Sequence, residues 1–210
     1  MARKPSSSEP ALVLATANAA KGREMAELLA GIPFRILTLA DFPGVSLPPE
    51  GSASYADNAL LKARAVAAAT GQLGLADDSG IEVDALGGRP GVLSARYGGD
   101  GLSDVERNAL LLRELAAVPP ARRTARYRCV IAICSPDGRE ATAEGLVEGV
   151  LLDAPSAGTG GFGYDPLFFY PPLKATFADI PAAAKHAVSH RGRAMARARE
   201  ILLRWRGGES

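Results

Sequence analysis

The sequence has little cysteine, no long apolar run and almost no excess charge, and each shortage removes a class of explanation. Its two cysteines, Cys129 and Cys134, lie in one strand-like run from Tyr127 to Cys134. Their odd spacing sends them to opposite faces, roughly 16 Å apart at about 3.3 Å per residue, so they do not pair within that strand. They read as two small buried side chains, suited to a reducing cytoplasm. No run of about 18 apolar residues exists, so no helix is expected to span a membrane. Arg3 and Lys4 are followed by Ser6, Ser7, Ser8, Glu9 and Pro10 rather than an apolar stretch. That composition argues against a signal peptide and for a disordered tail over residues 1–10. A net charge of +1 makes no general case for a nucleic-acid or membrane partner. With no internal repeat and no composition break, residues 11–207 are expected to form one domain.

What is present is an ordinary globular composition, 47% hydrophobic and 22% charged over 210 residues, enough for a core without disulfides or structural metals. Leu12 to Ala15 reads as a buried strand, followed by a helix from about Ala20 that Gly31 stops. Phe34 to Leu37 suggests a second strand, and Tyr55 to Thr70 an alanine-rich helix. Leu73 to Ala76 and Ile81 to Ala85 read as two strands around the polar turn Asp77-Asp78-Ser79-Gly80. Ser103 and Glu106 form a capping box for a helix reaching about Ala117. Thr124 to Cys134 and Arg139 to Leu151 form a hairpin around Pro136-Asp137-Gly138. Residues 153–174 read as loop, and a last helix runs from Ser189 to Trp205. Interleaved strands and helices with a central hairpin argue for an α/β fold with a mixed sheet.

Four stretches have the makings of a site. Thr16-Ala17-Asn18-Ala19-Ala20-Lys21 joins a strand to a helix, whose N-terminal N–H groups and dipole suit phosphate; Lys21 adds a charge. A capped helix with a surface lysine is the plain alternative, and the glycine spacing of a Walker loop is absent. In Asp77-Asp78-Ser79-Gly80, neighbours in extended structure point opposite ways, so one Asp faces a cleft while the other braces the backbone. A carboxylate in a cleft holds magnesium or takes a proton from water, although Asp-Ser-Gly is also common turn chemistry. The stretch Gly158 to Gly163 spells the dinucleotide fingerprint, but Pro166, Pro171 and Pro172 follow where a helix must start. It reads better as a tight loop where backbone approaches a ligand and Phe162 or Tyr164 offers a ring to a base. In Lys185 to Arg191, Ser189 is the expected N-cap, which puts His190 and Arg191 in a first helical turn. Cations there oppose the dipole at roughly 0.3–1 kcal/mol each. A local rule broken in this way points to function, against the reading as a solvated basic turn. Arg193, Arg197, Arg199, Arg204 and Arg206 alternate with an apolar set at helical spacing and read as a wet face rather than a nucleic-acid stripe.

Together these pieces resemble the inosine-triphosphate pyrophosphatase family, whose bacterial form is an XTP/dITP diphosphatase. The matching blocks are Leu14 to Lys21, Asn58 to Ala63, Ala76 to Leu86 with Pro90-Gly91 and Ser94 to Tyr97, Gly160 to Pro166, and Ser189-His190-Arg191. They span the chain from Leu12 to about Met195. The resemblance implies an elongated two-lobed α/β fold, with a central mixed β-sheet flanked by helices, an active-site cleft between the lobes, and usually a homodimer. It implies Mg2+-dependent hydrolysis of non-standard purine nucleoside triphosphates (dITP, ITP, XTP, dXTP) to monophosphate and pyrophosphate, in the cytoplasm, cleansing the nucleotide pool of deaminated purines. Carried over by motif, Thr16, Ala17, Asn18, Ala19, Ala20 and Lys21 would hold the triphosphate, and Lys62 would lie near the phosphates. Asp78 would be the proton acceptor and a magnesium ligand, with Glu50 a second ligand. Ser79, Phe162, Gly163, Tyr164, Asp165, Lys185, His190 and Arg191 would bind substrate. Two departures stand out: Glu50-Gly51-Ser52 replaces the usual Glu-x-Gly, and His186 stands where the family often has Asn.

Selectivity follows from hydrogen-bond chemistry. Hypoxanthine and xanthine carry a 6-oxo group where adenine carries an amino group, so a fixed donor favours them, by up to about 10⁴. Arg191 is the best candidate for that donor, with His190 or backbone N–H groups able to help, and guanine is expected to be rejected through its 2-amino group. Three other readings stay open: a pyrophosphatase for modified pyrimidine triphosphates, a nucleotide sensor without turnover, and a nucleic-acid module built on the last helix.

Overall fold

The computed structural model describes residues 9–51 and 53–208. Residues 1–8 of the expected tail lie outside the described residues, as does Ser52. Pro10 is described, and its carbonyl accepts the Arg35 amide at 2.9 Å.

Among the described residues the elements run β1 Ala11–Leu14, α1 Ala19–Leu28, β2 Arg35–Thr38, α2 Tyr55–Thr70, β3 Leu73–Val83, α3 Asp104–Glu114, β4 Thr124–Cys134, β5 Glu140–Leu151, β6 Phe168–Tyr170, β7 Ala175–Thr176, α4 Ala182–Val188 and α5 His190–Arg206. The strands form one mixed sheet in the order β2-β1-β3-β4-β5-β6-β7. β2 and β3 pair parallel to β1, and β6 pairs antiparallel to β5 and β7. The fold is therefore α/β with a mixed sheet. β1 is buried at every residue, as a strand covered on both faces requires.

The chain divides into two compact units. One comprises the residues up to Asp78, Cys129–Gly145 and the chain from Arg191; the other comprises Ser79–Arg128 and Leu146–His190. The first has its own core around Leu12, Met25, Leu75, Ile131, Met195 and Leu202. The second has another around Ile81, Leu111, Tyr127, Leu167, Phe168 and Phe177. Cys129 and Cys134 are free and buried in the first unit. Burial pushes their thiols up to about 12 and about 11, so neither is a ready thiolate nucleophile.

Local signals set several boundaries. The Ser54 hydroxyl accepts the Asp57 amide and Gly71 closes α2 at φ 65°, so α2 occupies the residues expected of it. Ser103 and Glu106 form the expected capping box of α3, which ends at Glu114 rather than near Ala117. The alanines of α2 let it sit close to β3. A Cβ added at Gly74 would lie 2.4 Å from the Ala63 carbonyl oxygen, a contact with backbone that has no rotamer to yield. Gly74→Ala is therefore expected to cost about 1–3 kcal/mol of stability, measured by urea unfolding. A midpoint equal to the parent's would show that α2 shifts freely.

Three expectations are corrected. Asp77-Asp78-Ser79-Gly80 is not a turn: β3 runs unbroken for 11 residues through it. Turn propensity yields here because both carboxylates are buried and find charged or polar partners, described below, only in extended backbone. Residues 153–174, read as loop, contain β6, and β7 follows. Strands of three and two residues are too short to show alternation. α4 was not expected; it starts after Pro181 with no side-chain cap and carries a run of three alanines, so it has neither start signal nor apolar stripe. The arginines of α5 also do more than meet solvent. Arg199 donates to the Leu28 and Ala30 carbonyls at 2.8 and 3.0 Å, closing the C-terminal end of α1, and Arg197 donates to Glu144 O at 2.6 Å.

Candidate active site

In the first unit, β3 carries two adjacent carboxylates that take different partners. The Asp77 side chain is fully buried, and its Oδ2 accepts from Arg191 Nη2 and Nε at 2.8 and 3.2 Å, with Lys21 Nζ at 3.4 Å. Arg191 Nη1 donates in turn to Glu24 Oε2 at 2.6 Å. Burial alone would raise the Asp77 carboxyl, but the charges of Lys21, Arg191 and Lys62 hold it well below the usual carboxylate range. Asp78 Oδ2 accepts from Asn58 Nδ2 at 2.9 Å, and Oδ1 lies 3.7 Å from Lys62 Nζ. Here burial wins and pushes the carboxyl above the usual range, against the pull of Lys62 and the Asn58 bond.

Lys62 ties these groups together. It donates to Glu50 Oε1 at 2.7 Å and to the Asp77 carbonyl at 2.6 Å. Burial works to lower its pKa, but Asp77, Asp78 and Glu50 outweigh it, so the ammonium persists. Asn58 and Lys62 sit on the buried face of α2 with Tyr55, Ala59 and Val66. Polar residues intruding on an apolar helical stripe were a readable signal, and Asn58 as a site residue was missed despite it.

The loop from β1 to α1 is built as expected. Asn18 caps α1 by accepting the Lys21 amide at 3.0 Å, and Thr16 Oγ1 accepts the Asn18 amide at 3.2 Å. Ala19 and Ala20 occupy the first turn, where amides have no intrahelical partner. Lys21, Asp78, Glu50, Lys62 and Arg191 thus gather in one unit. A cation at Glu50 and Asp78 would meet two hard carboxylate oxygens. Among the described residues no group of three or more His, Cys, Asp or Glu is placed to hold a metal. Such a pair suits magnesium, which takes one or two carboxylates and fills its octahedron with water and phosphate oxygens.

In the second unit, the loop of Phe162 is held by its own carboxylate. Asp165 Oδ2 accepts the Phe162 amide at 2.9 Å and Lys185 Nζ at 2.6 Å, and the Lys185 ammonium lies 5.0 Å from the centre of the Phe162 ring. Phe162 is half-buried, whereas Tyr164 is in the core with its hydroxyl donating to Ser94 O at 2.9 Å. Of the two rings considered for a base, Phe162 is the less buried. No helix follows Gly163, only turns and β6, which disposes of the dinucleotide fingerprint. His190 is buried, with its ring stacked on Tyr127 at 4.5 Å. Ser79 is half-buried on β3 beside Asp78.

A model of the Ham1 family matches residues 12–201. The chain belongs to the Ham1 family. The dITP/XTP pyrophosphatase of Geobacter sulfurreducens is 53% identical over 198 residues, covering 94% of this chain and 98% of that one. The dITP/XTP pyrophosphatase of Desulforamulus reducens is 52% identical, covering 92% and 96%. The solved structure of a HAM1 protein from Coxiella burnetii superposes with a TM-score of 0.83 at 36% identity, covering 92% and 98%. All three guanidinium nitrogens of Arg191 donate to carboxylates, so the side chain also braces Asp77, a contact that the sequence reading did not foresee.

Proposed function

We propose that this Ham1 protein is a magnesium-dependent dITP/XTP pyrophosphatase, which releases pyrophosphate from non-standard purine nucleoside triphosphates and so keeps deaminated purines out of the nucleotide pool. The observation that carries the reading is the division of labour between two adjacent carboxylates, one locked in an ion-pair network and one left basic beside Lys62 and Glu50. The names of relatives about half identical over nearly their whole length supply the substrate class. Cytoplasmic location and a homodimer complete the proposal; among the described residues no helix is long and apolar enough to cross a membrane.

In this mechanism Thr16 to Lys21 receive the phosphates, through the amides at the head of α1 and the Lys21 charge. Asp78 takes a proton from the water that attacks the α-phosphorus. The bond from that phosphorus to its bridging oxygen breaks, and pyrophosphate leaves with the electron pair. Burial suits Asp78 to the task, because a carboxylate of raised pKa is a better base near neutrality. Lys62 keeps its charge beside Asp78 and supplies a fixed positive field for the phosphates. Magnesium, held by Asp78 and Glu50, supplies charge neutralisation for the triphosphate.

The base falls to the second group of residues. Phe162 offers its ring to the base, and Lys185, over that ring at 5.0 Å from its centre, brings an ammonium that donates and never accepts. A 6-oxo purine matches such a donor, whereas a 6-amino purine sets donor against donor. Lys185 thus supplies such a donor. Ser79, Gly163, Tyr164, Asp165 and His190 complete the pocket, Tyr164 and Asp165 by fixing the loop.

The test is a pyrophosphate-release assay over dITP, XTP, dATP, GTP and modified pyrimidine triphosphates, with and without a chelator. The expected result is kcat/KM for dITP and XTP at least about 100-fold above dATP and GTP, abolished on removing magnesium. Orthophosphate as the first product, or equal efficiency on dATP, would sink the reading.

A further inference from the structure

We infer that Asp104 and Asn108 of α3 are positioning residues that clamp the Phe162 loop through the Gly163 backbone. The consequence for base affinity rests on the base-binding role proposed for Phe162. The two side chains are four residues apart on one helix, so they project from the same face one turn apart. Asp104 Oδ2 accepts the Gly163 amide at 2.7 Å, and Asn108 Nδ2 donates to the Gly163 carbonyl at 3.0 Å. One residue next to the aromatic ring is thereby gripped by both of its backbone polar groups. Gly163 has a φ of 64°, a region that side-chain-bearing residues rarely adopt, so the clamp also holds a conformation that only glycine takes easily.

Packing alone does not call for these residues. Asn108 is buried on the stripe that continues through Leu111 and Leu115. A leucine there would extend the apolar face of α3 into the core. Instead the chain keeps an amide whose Oδ1 is buried without a hydrogen-bond donor. Turning the amide over would not help, because it would set Oδ1 against the Gly163 carbonyl. A buried acceptor left unmatched lowers stability, and a local rule broken in this way marks a residue kept for what it holds. The neighbouring contacts point the same way: Tyr164 is anchored to Ser94 O and the Phe162 amide to Asp165, so Gly163 is the link that α3 fixes.

The experiment uses the full-length protein and three variants. Asn108→Leu removes the donor and completes the apolar stripe. Asp104→Ala removes the acceptor at a half-exposed position, and Asp104→Asn keeps an acceptor oxygen. The first readout, independent of activity, is amide hydrogen exchange over residues 161–165. The second is KM and kcat for dITP. Asn108→Leu and Asp104→Ala are expected to speed exchange in that segment and raise KM about tenfold with kcat within about twofold, while Asp104→Asn stays close to the parent. Parent-like exchange in both disrupting variants overturns the inference. So does a fall in kcat at unchanged KM, which would mark a merely structural loss of active molecules. Should the parent release no pyrophosphate from any purine triphosphate, the proposed function fails, and exchange over residues 161–165 still decides the clamp.

Discussion

Asp78→Asn is expected to lower kcat for dITP by roughly 10³ and to leave the protein folded, with an unfolding midpoint equal to or above the parent's. The activity falls because an amide takes no proton and is a poorer magnesium ligand. The fold survives because the replacement has the same shape, and its amide oxygen still accepts from Asn58. Stability follows from the direction of the pKa shift. Burial raises the Asp78 carboxyl above its unfolded value, so between the two values the native state binds more protons than the unfolded one. Stability therefore falls as pH rises through that window, and above it the ionised carboxylate is a burden that the amide removes. Steady-state pyrophosphate release paired with thermal unfolding at pH 7 checks both halves. Wild-type kcat would remove Asp78 from the chemistry, and a large drop in midpoint would make it a structural residue instead.

The adjacent carboxylate should behave in the opposite way. Asp77→Ala is expected to destabilise the protein by about 3–5 kcal/mol, because it leaves the Arg191 guanidinium buried with part of its compensation gone. For a chain of this size that is a fall of roughly 6–20 °C in the unfolding midpoint. The Asp77 side chain is 0% exposed and that of Arg191 2%, so water cannot take over the missing contact. Lys21, Arg191 and Lys62 hold the Asp77 carboxyl below its unfolded value. Its contribution is therefore complete above the unfolded pKa of about 3.9 and is lost as pH falls through the lower native value. Urea unfolding of the parent and of Asp77→Asn at several pH values should show the difference between them shrinking in acid. A loss below about 1 kcal/mol for Asp77→Ala would mean that Glu24 alone suffices for Arg191, and that the network is not what holds β3 extended through this position.

The sequence by itself determined whatever rests on neighbours. Ser54 and Gly71 bound α2, Ser103 and Glu106 open α3, and Pro136-Asp137-Gly138 turns β4 into β5, because caps and turns are made by residues a few positions apart. The rule that adjacent side chains on extended backbone diverge also foretold that Asp77 and Asp78 would take different partners. Only the tertiary structure decided which takes which, and that β3 runs through them at all. Asp77 meets Arg191 across 114 residues of chain, Arg191 meets Glu24 across 167, and Lys185 meets Asp165 across 20. A charge is kept inside a protein only where a partner is brought to it, and the partner's position depends on how distant segments pack. For the same reason the ion pairs of Arg191 with Asp77 and Glu24 could not be read locally, and the grip of Asp104 and Asn108 on Gly163, across 59 and 55 residues, left no mark in the local pattern beyond one asparagine on an apolar stripe.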